Sequence, residues 1–134
     1  MFQPAGVDVS GYAHDTDVLE PKATNFVKEL RIMDGIIVLT TADSTETAER
    51  IARGLVEAGL AACVNIVPGI RSVYRWKGKV CDEAELLLIV KTVRARFEGV
   101  RLKVRELHTY ELPEVVAVGI DGGDPQYLRW LAGE

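Results

Sequence analysis

The chain has 134 residues, 48% of them hydrophobic, and a formal charge of −4 from 16 basic and 20 acidic side chains. That is one domain's length with enough apolar material for a core. The acidic balance argues against a nucleic-acid groove and against electrostatic docking on anionic lipid.

Residues 1–33 read differently from the rest. MFQPAGVDVSGYAHDTDVLEP is rich in Gly, Pro and Asp and has no sustained period. A short helix over Thr24 to Ile32, with Phe26 and Leu30 on one side, is the most this segment suggests. Met33 stands where a start codon would naturally sit. Residues 1–32 are therefore read as a dispensable extension or an upstream start, and residues 34–134 as the folded domain. The segment lacks the basic start and apolar core of a secretion signal. The longest apolar run, Leu86-Leu87-Leu88-Ile89-Val90, is far short of the roughly 18 residues that span a bilayer. Neither nucleic acid nor membrane is expected as a partner, and the expected location is cytoplasmic. Cys63 and Cys81 form no CxxC pair and are expected as free thiols in a reducing compartment.

Ile36 to Leu39 form a continuous apolar run, as a strand buried on both faces does. Asp43 to Gly59 reads as a helix. Asp43 is placed to cap it, with Glu46 three residues on, and Ala48, Ile51, Ala52 and Leu55 recur at helical spacing. Gly59 suits the left-handed position past its end. Leu60 to Val67 follows as a strand, which Pro68-Gly69 breaks or bulges. Beyond it Ile70, Ser72, Tyr74 and Trp76 alternate with Arg71, Val73, Arg75 and Lys77. Lys77-Gly78-Lys79 turns the chain, and Glu85 to Val93 returns as a strand. Arg94 to Leu107 is a helix with Phe97, Val100, Val104 and Leu107 on one stripe. Glu114 to Ile120 is the last main strand, with Pro113 setting its entry. Asp124-Pro125 opens a final helix carrying Tyr127, Leu128, Trp130 and Leu131.

The order is β-α-β-β-α-β plus a terminal helix. It defines an α+β class and the split βαβ, or ferredoxin-like, plan, with helices over one face of an antiparallel sheet. The central hairpin, about Leu60 to Val93, is long beside typical strands of about 5–6 residues. Its aromatic face, Tyr74 and Trp76, needs a cover. Either another subunit supplies it, or the terminal helix folds over it through Trp130.

Three stretches in order, AERIARGLVEAGLAACVNIVPGIRSVYRWKGKV, ELLLIVKT and ELHTYELPEVVAV, resemble the CutA family of divalent-cation tolerance proteins. The resemblance covers about Asp34 to Leu131, and LAACVNIVPGIRSVYRW makes it specific. It implies a ferredoxin-like subunit in a tight homotrimer similar in form to the PII signalling trimers, with hairpin arms embracing neighbours. It also implies an association with copper and other divalent metals in the response to metal ions. The chain departs at Thr109: the family reads His-Pro-Tyr-Glu where this chain has His108-Thr109-Tyr110-Glu111. Pro would disfavour helical geometry at residue 108.

The resemblance places Cys63 and His108 near a cleft between subunits, where they could converge with Glu111 as metal ligands. Thiolate and imidazole suit copper and zinc, with Cys favouring Cu(I). The structural alternatives are a small buried apolar residue at Cys63 and a polar helix C-cap at His108. Around the same cleft the resemblance puts Tyr74, Trp76, Lys91, Tyr110 and Glu111, which could equally hold a small anion or a protein partner. Lys91 must snorkel, face a pocket or pair with an acid, Glu85 being one partner to consider. Cys81 is read as incidental. No Gly-rich phosphate loop or nucleophile elbow appears. With His14 in the extension, His108 has few partners for acid–base work, so an enzyme is not expected.

Overall fold

The computed structural model describes residues 34–133. Residues 1–33, with the helix expected over Thr24 to Ile32, lie outside the described residues. β1 (Gly35–Ala42) is followed by α1 (Thr45–Glu57), then by the long hairpin β2 (Cys63–Trp76) and β3 (Lys79–Val93). A single 3-10 turn at Arg94–Arg96 leads into α2 (Phe97–Leu107), β4 (Val116–Gly119) and α3 (Pro125–Leu131). The sheet order is β2-β3-β1-β4, with every pairing antiparallel, which is the ferredoxin-like plan.

Several boundaries differ from expectation. Ser44, not Asp43, caps α1: its backbone is extended and its Oγ accepts the Thr47 N–H at 3.2 Å. Glu46 falls in the first turn instead, where its charge suits the helix dipole. At the other end Gly59 N–H bonds Val56 O and Leu60 N–H bonds Leu55 O, with Gly59 at φ +71°. This is the Schellman arrangement, and it consumes Leu60 to Ala62, so β2 begins at Cys63. Pro68-Gly69 makes a bulge, not a break, because pairing resumes at Ile70↔Glu85 and runs to Trp76↔Lys79. Lys77 (φ 50°) and Gly78 (φ 80°) form the two-residue turn that closes the arm. β3 consequently starts six residues before Glu85, whereas β4 keeps only four of the residues expected of it.

The core lies between the sheet and the two long helices. Ile36, Val38, Leu88 and Val90 meet Ala48, Ile51 and Leu55 of α1 and Val100 and Val104 of α2. The strand residues between them, Ile37 and Leu39 of β1 and Leu87 and Ile89 of β3, point the other way and are half-buried. Beside them Val67 is 37% exposed and Val118 is 52% exposed. The apolar runs of β1 and β3 thus belong to strands suited to burial on both faces, and among the described residues only one face has a full cover.

The terminal helix does not cover the aromatic arm. Leu128 and Leu131 pack on Ala62 and Ile120, at the end of the sheet where β1 starts. Trp130 stays half-exposed, stacked on Tyr127 of its own helix. Tyr74 and Trp76 at the far end remain exposed, as do Val73 and Val80 on the arm's opposite face.

Candidate functional site

Two devices in α1 fix the end of α2, and with it His108. Arg50 Nε donates to the Leu107 carbonyl at 3.2 Å. Gly54 leaves room for the Leu107 side chain, whose Cδ1 would lie 2.6 Å from a Cβ there. His108 is the C-cap: its N–H bonds Val104 O at 2.8 Å, and its backbone is extended (φ −82°, ψ 150°). That is the conformation a following proline would favour, and Thr109 does not prevent it. The ring supplies the restraint. Nδ1 accepts the Tyr110 N–H at 3.1 Å, so Nε2 carries the proton and donates to Thr41 O at 2.6 Å. The ring also stacks against Tyr110, centroid to centroid at 4.4 Å.

Tyr110 turns into the concave side of the hairpin and donates its hydroxyl to Glu85, which is only 7% exposed. Tyr74 on β2 makes the same bond to Glu83 across the arm. Burial and then the Glu85 bond push the Tyr110 hydroxyl well above the tyrosine range. The Glu83 bond raises Tyr74 to about 12. At the arm's tip Lys77 reaches Glu111 at 3.7 Å, an exposed ion pair that links arm and loop.

Between the arm and the loop after α2 lies a cleft of about 950 Å³. Tyr74, Trp76 and Tyr110 line it together with Glu85, Glu111 and Glu114. Arg71, Arg101 and Arg105 also reach it. Glu114 is held above the ordinary carboxylate range by desolvation against the wall and by the nearby Glu85 charge. Neither Glu114 nor the two α2 arginines stood out in the sequence, because only the folded loop brings them beside the arm.

The expected site residues therefore separate into two places. Tyr74, Trp76, Tyr110 and Glu111 share the cleft. Cys63 and Lys91 do not line it: they pair with each other across β2 and β3, and Lys91 pairs with Ile37 of β1. Both lie on the incompletely covered face of the sheet. Glu85 is not the partner of Lys91, since six residues of extended strand, roughly 20 Å, lie between them. His108 is tied to Thr41, which pairs with Leu87, four residues along β3 from Lys91. That puts Cys63 and His108 roughly 14 Å apart along the strands of one chain. Both thiols are free and half-buried. Among the described residues no three His, Cys, Asp or Glu side chains are grouped to hold a metal.

Fold and cleft together define a small ferredoxin-like domain with one sheet face incompletely covered among the described residues. The family model described as CutA1 divalent ion tolerance protein matches residues 36–134. The chain belongs to that family. It is 52% identical to the divalent-cation tolerance protein CutA of Thermus thermophilus over 95 residues, 71% of this chain and 92% of that one. It is 45% identical to the chloroplastic protein CutA of Arabidopsis thaliana over 101 residues, 75% of this chain and 56% of that one. Among solved structures, the Cut A1 protein from Thermus thermophilus matches with a TM-score of 0.72 at 49% identity, covering 74% of this chain and 96% of that chain. A CutA from Archaeoglobus fulgidus, described as periplasmic, matches with a TM-score of 0.70 at 42% identity, covering 72% of this chain and 94% of that chain.

Proposed function

We propose that this divalent-cation tolerance protein works as a homotrimer that binds copper or related ions and takes part in the response to metal ions, as a binding protein and not as a catalyst. The observation that carries the assembly is the half-covered sheet face, with Ile37, Leu39, Leu87, Ile89 and Val118 awaiting a partner. Covering that face with copies of the same chain would also bring Cys63 of one subunit toward its neighbours.

Cys63 is the leading metal ligand on this reading, because its thiol is free and lies on that face. His108 and Glu111 are the other candidates. For His108 to ligate, it must give up either the Thr41 or the Tyr110 bond, since both ring nitrogens are engaged. The two free thiols fit a reducing cytoplasm. Native mass spectrometry with and without stoichiometric Cu(I) tests the metal site. Three coppers per trimer, lost in Cys63→Ala with the trimer intact, would support it. Copper retained by both Cys63→Ala and His108→Ala would refute this ligand assignment.

A second reading has its own support in the cleft: a PII-like signalling or scaffold trimer that binds a small anionic ligand or a protein partner there. A thermal shift with small molecules and none with metals would favour it.

A further inference from the structure

We propose that the aromatic face of α3 is covered by the chain's own N-terminal segment, with Phe26 and Leu30 lying on Tyr127 and Trp130. This face is separate from the arm. Tyr74 and Trp76, assigned above to contacts between copies, stand at the far end of the sheet, whereas α3 packs where β1 starts. The inner side of α3 is used: Leu128 and Leu131 are buried with Ala62 and Ile120 packed against them. On its outer side Tyr127 is 42% exposed and Trp130 50%, with their rings stacked at 5.5 Å. Two large rings side by side offer the kind of contact surface that carries binding energy.

The backbone fixes where the chain enters the domain. Asp34 O accepts the Arg94 N–H at 3.0 Å, and Gly35 O accepts the Ile120 N–H at 2.9 Å. The start of β1 is thus pinned from both sides. A Cβ on Gly35 would stand 3.3 Å from Leu131 Cδ2, so α3 lies directly beside that point. The preceding chain must leave the domain within reach of α3.

The upstream sequence suits that place. Phe26, Val27 and Leu30 share one side of the helix expected over Thr24 to Ile32. At 1.5 Å per helical residue, Leu30 and Phe26 come within roughly 8 and 14 Å of Gly35. Tyr127 and Trp130 lie within one helical turn of Leu131, so the lengths match. Charge agrees as well. Residues 22–32 carry Lys22, Lys28 and Arg31 against Glu29, while residues 121–134 carry Asp121, Asp124 and Glu134 against Arg129. Asp121 and Asp124 are exposed. Opposite charge of this kind favours and orients a contact. A short tether also holds the segment at a roughly millimolar effective concentration, which a second copy reaches only in concentrated solution. The segment lies outside residues 36–134 matched by the family model, so the shared domain does not account for it. On this proposal residues 22–32 are a working part of the fold and not a dispensable extension.

Hydrogen exchange of the full chain, read by mass spectrometry at two protein concentrations, tests this. Amides of residues 24–32 should exchange more than tenfold more slowly than in the free peptide of residues 21–33, at both concentrations. Trp130→Ser should remove that protection while β1, β2 and β3 keep theirs. Phe26→Asp, which changes nothing inside the described domain, should remove it too, and serves if Trp130→Ser does not fold. It should also speed exchange over Tyr127 to Ala132. Exchange at the free-peptide rate in the natural chain would overturn the proposal. Protection that survives Trp130→Ser in a folded protein would put the segment elsewhere and overturn it as well. Protection of α3 that ignores Phe26→Asp and falls on dilution would give the face to a second copy instead.

Discussion

Thr40 sits at the centre of β1, fully buried, and its Oγ1 has no hydrogen-bond partner. A buried hydroxyl without a partner costs about 1–3 kcal/mol, and valine has nearly the same shape. Thr40→Val should therefore raise stability by about 1 kcal/mol. The urea midpoint should rise with an unchanged slope. The tyrosines offer a second check. A folded-state value raised above the ordinary tyrosine one favours the protonated hydroxyl. Its contribution to stability is thus complete below about pH 10 and is lost as pH rises through the raised value. A spectrophotometric titration should show Tyr74 ionising late, near pH 12, and Tyr110 later still. Tyr110→Phe should remove the later one. The sequence pointed to Tyr74 and Tyr110 but not to their carboxylate partners. Glu83 and Glu85 look like ordinary alternating strand residues until the register sets them opposite the arm and beneath the loop. The same holds for His108: a helix end was legible in ELHTY, but the Thr41 carbonyl that receives its ring is 67 residues away.

Among the elements, the helices were the most legible, because apolar spacing and cap residues are local signals. Even there Asp43 and Ser44 both qualify as caps, and only the backbone turn decides between them. The hairpin was expected over about Leu60 to Val93 and spans Cys63–Val93, but its second strand begins at Lys79 and not at the expected Glu85. Pro68-Gly69 marks a bulge as plainly as a break, and what distinguishes them is continued pairing with β3, which no local pattern carries. β4 was overestimated, since Pro113 and Glu114 belong to the loop that walls the cleft. The C-terminal cap of α1 gives a clean test of element energetics. A Cβ at Gly59 meets nothing within 4 Å, so only its φ of +71° opposes a side chain. Gly59→Ala should cost about 1–2 kcal/mol through backbone strain alone. Unfolding by urea, read by circular dichroism, should show that loss without a change in fold.

At the scale of the whole molecule, the described residues bury one side of the sheet and leave the other incompletely covered. The run IIVL announced a strand buried on both faces. What the sequence could not say is that, among the described residues, one face of the sheet would lack a full cover. The exposed arm points the same way, since Tyr74, Trp76, Val73 and Val80 are all uncovered and α3 packs at the other end of the sheet. If copies of the chain supply the cover, folding and assembly are coupled, and apparent stability should rise with protein concentration. Trp76→Glu should break assembly before it disturbs secondary structure, read by mass in solution beside the far-ultraviolet spectrum. A Trp76→Glu protein that keeps its full assembly would remove the arm from the interface.

The most direct measurement is the native mass of the full chain beside that of Ile89→Glu, which places a charge in the middle of the open sheet face. Three subunits for the natural chain and a monomer for the variant, with its helices and sheet retained, are the expected result. A natural chain that is monomeric at micromolar concentration would contradict the account.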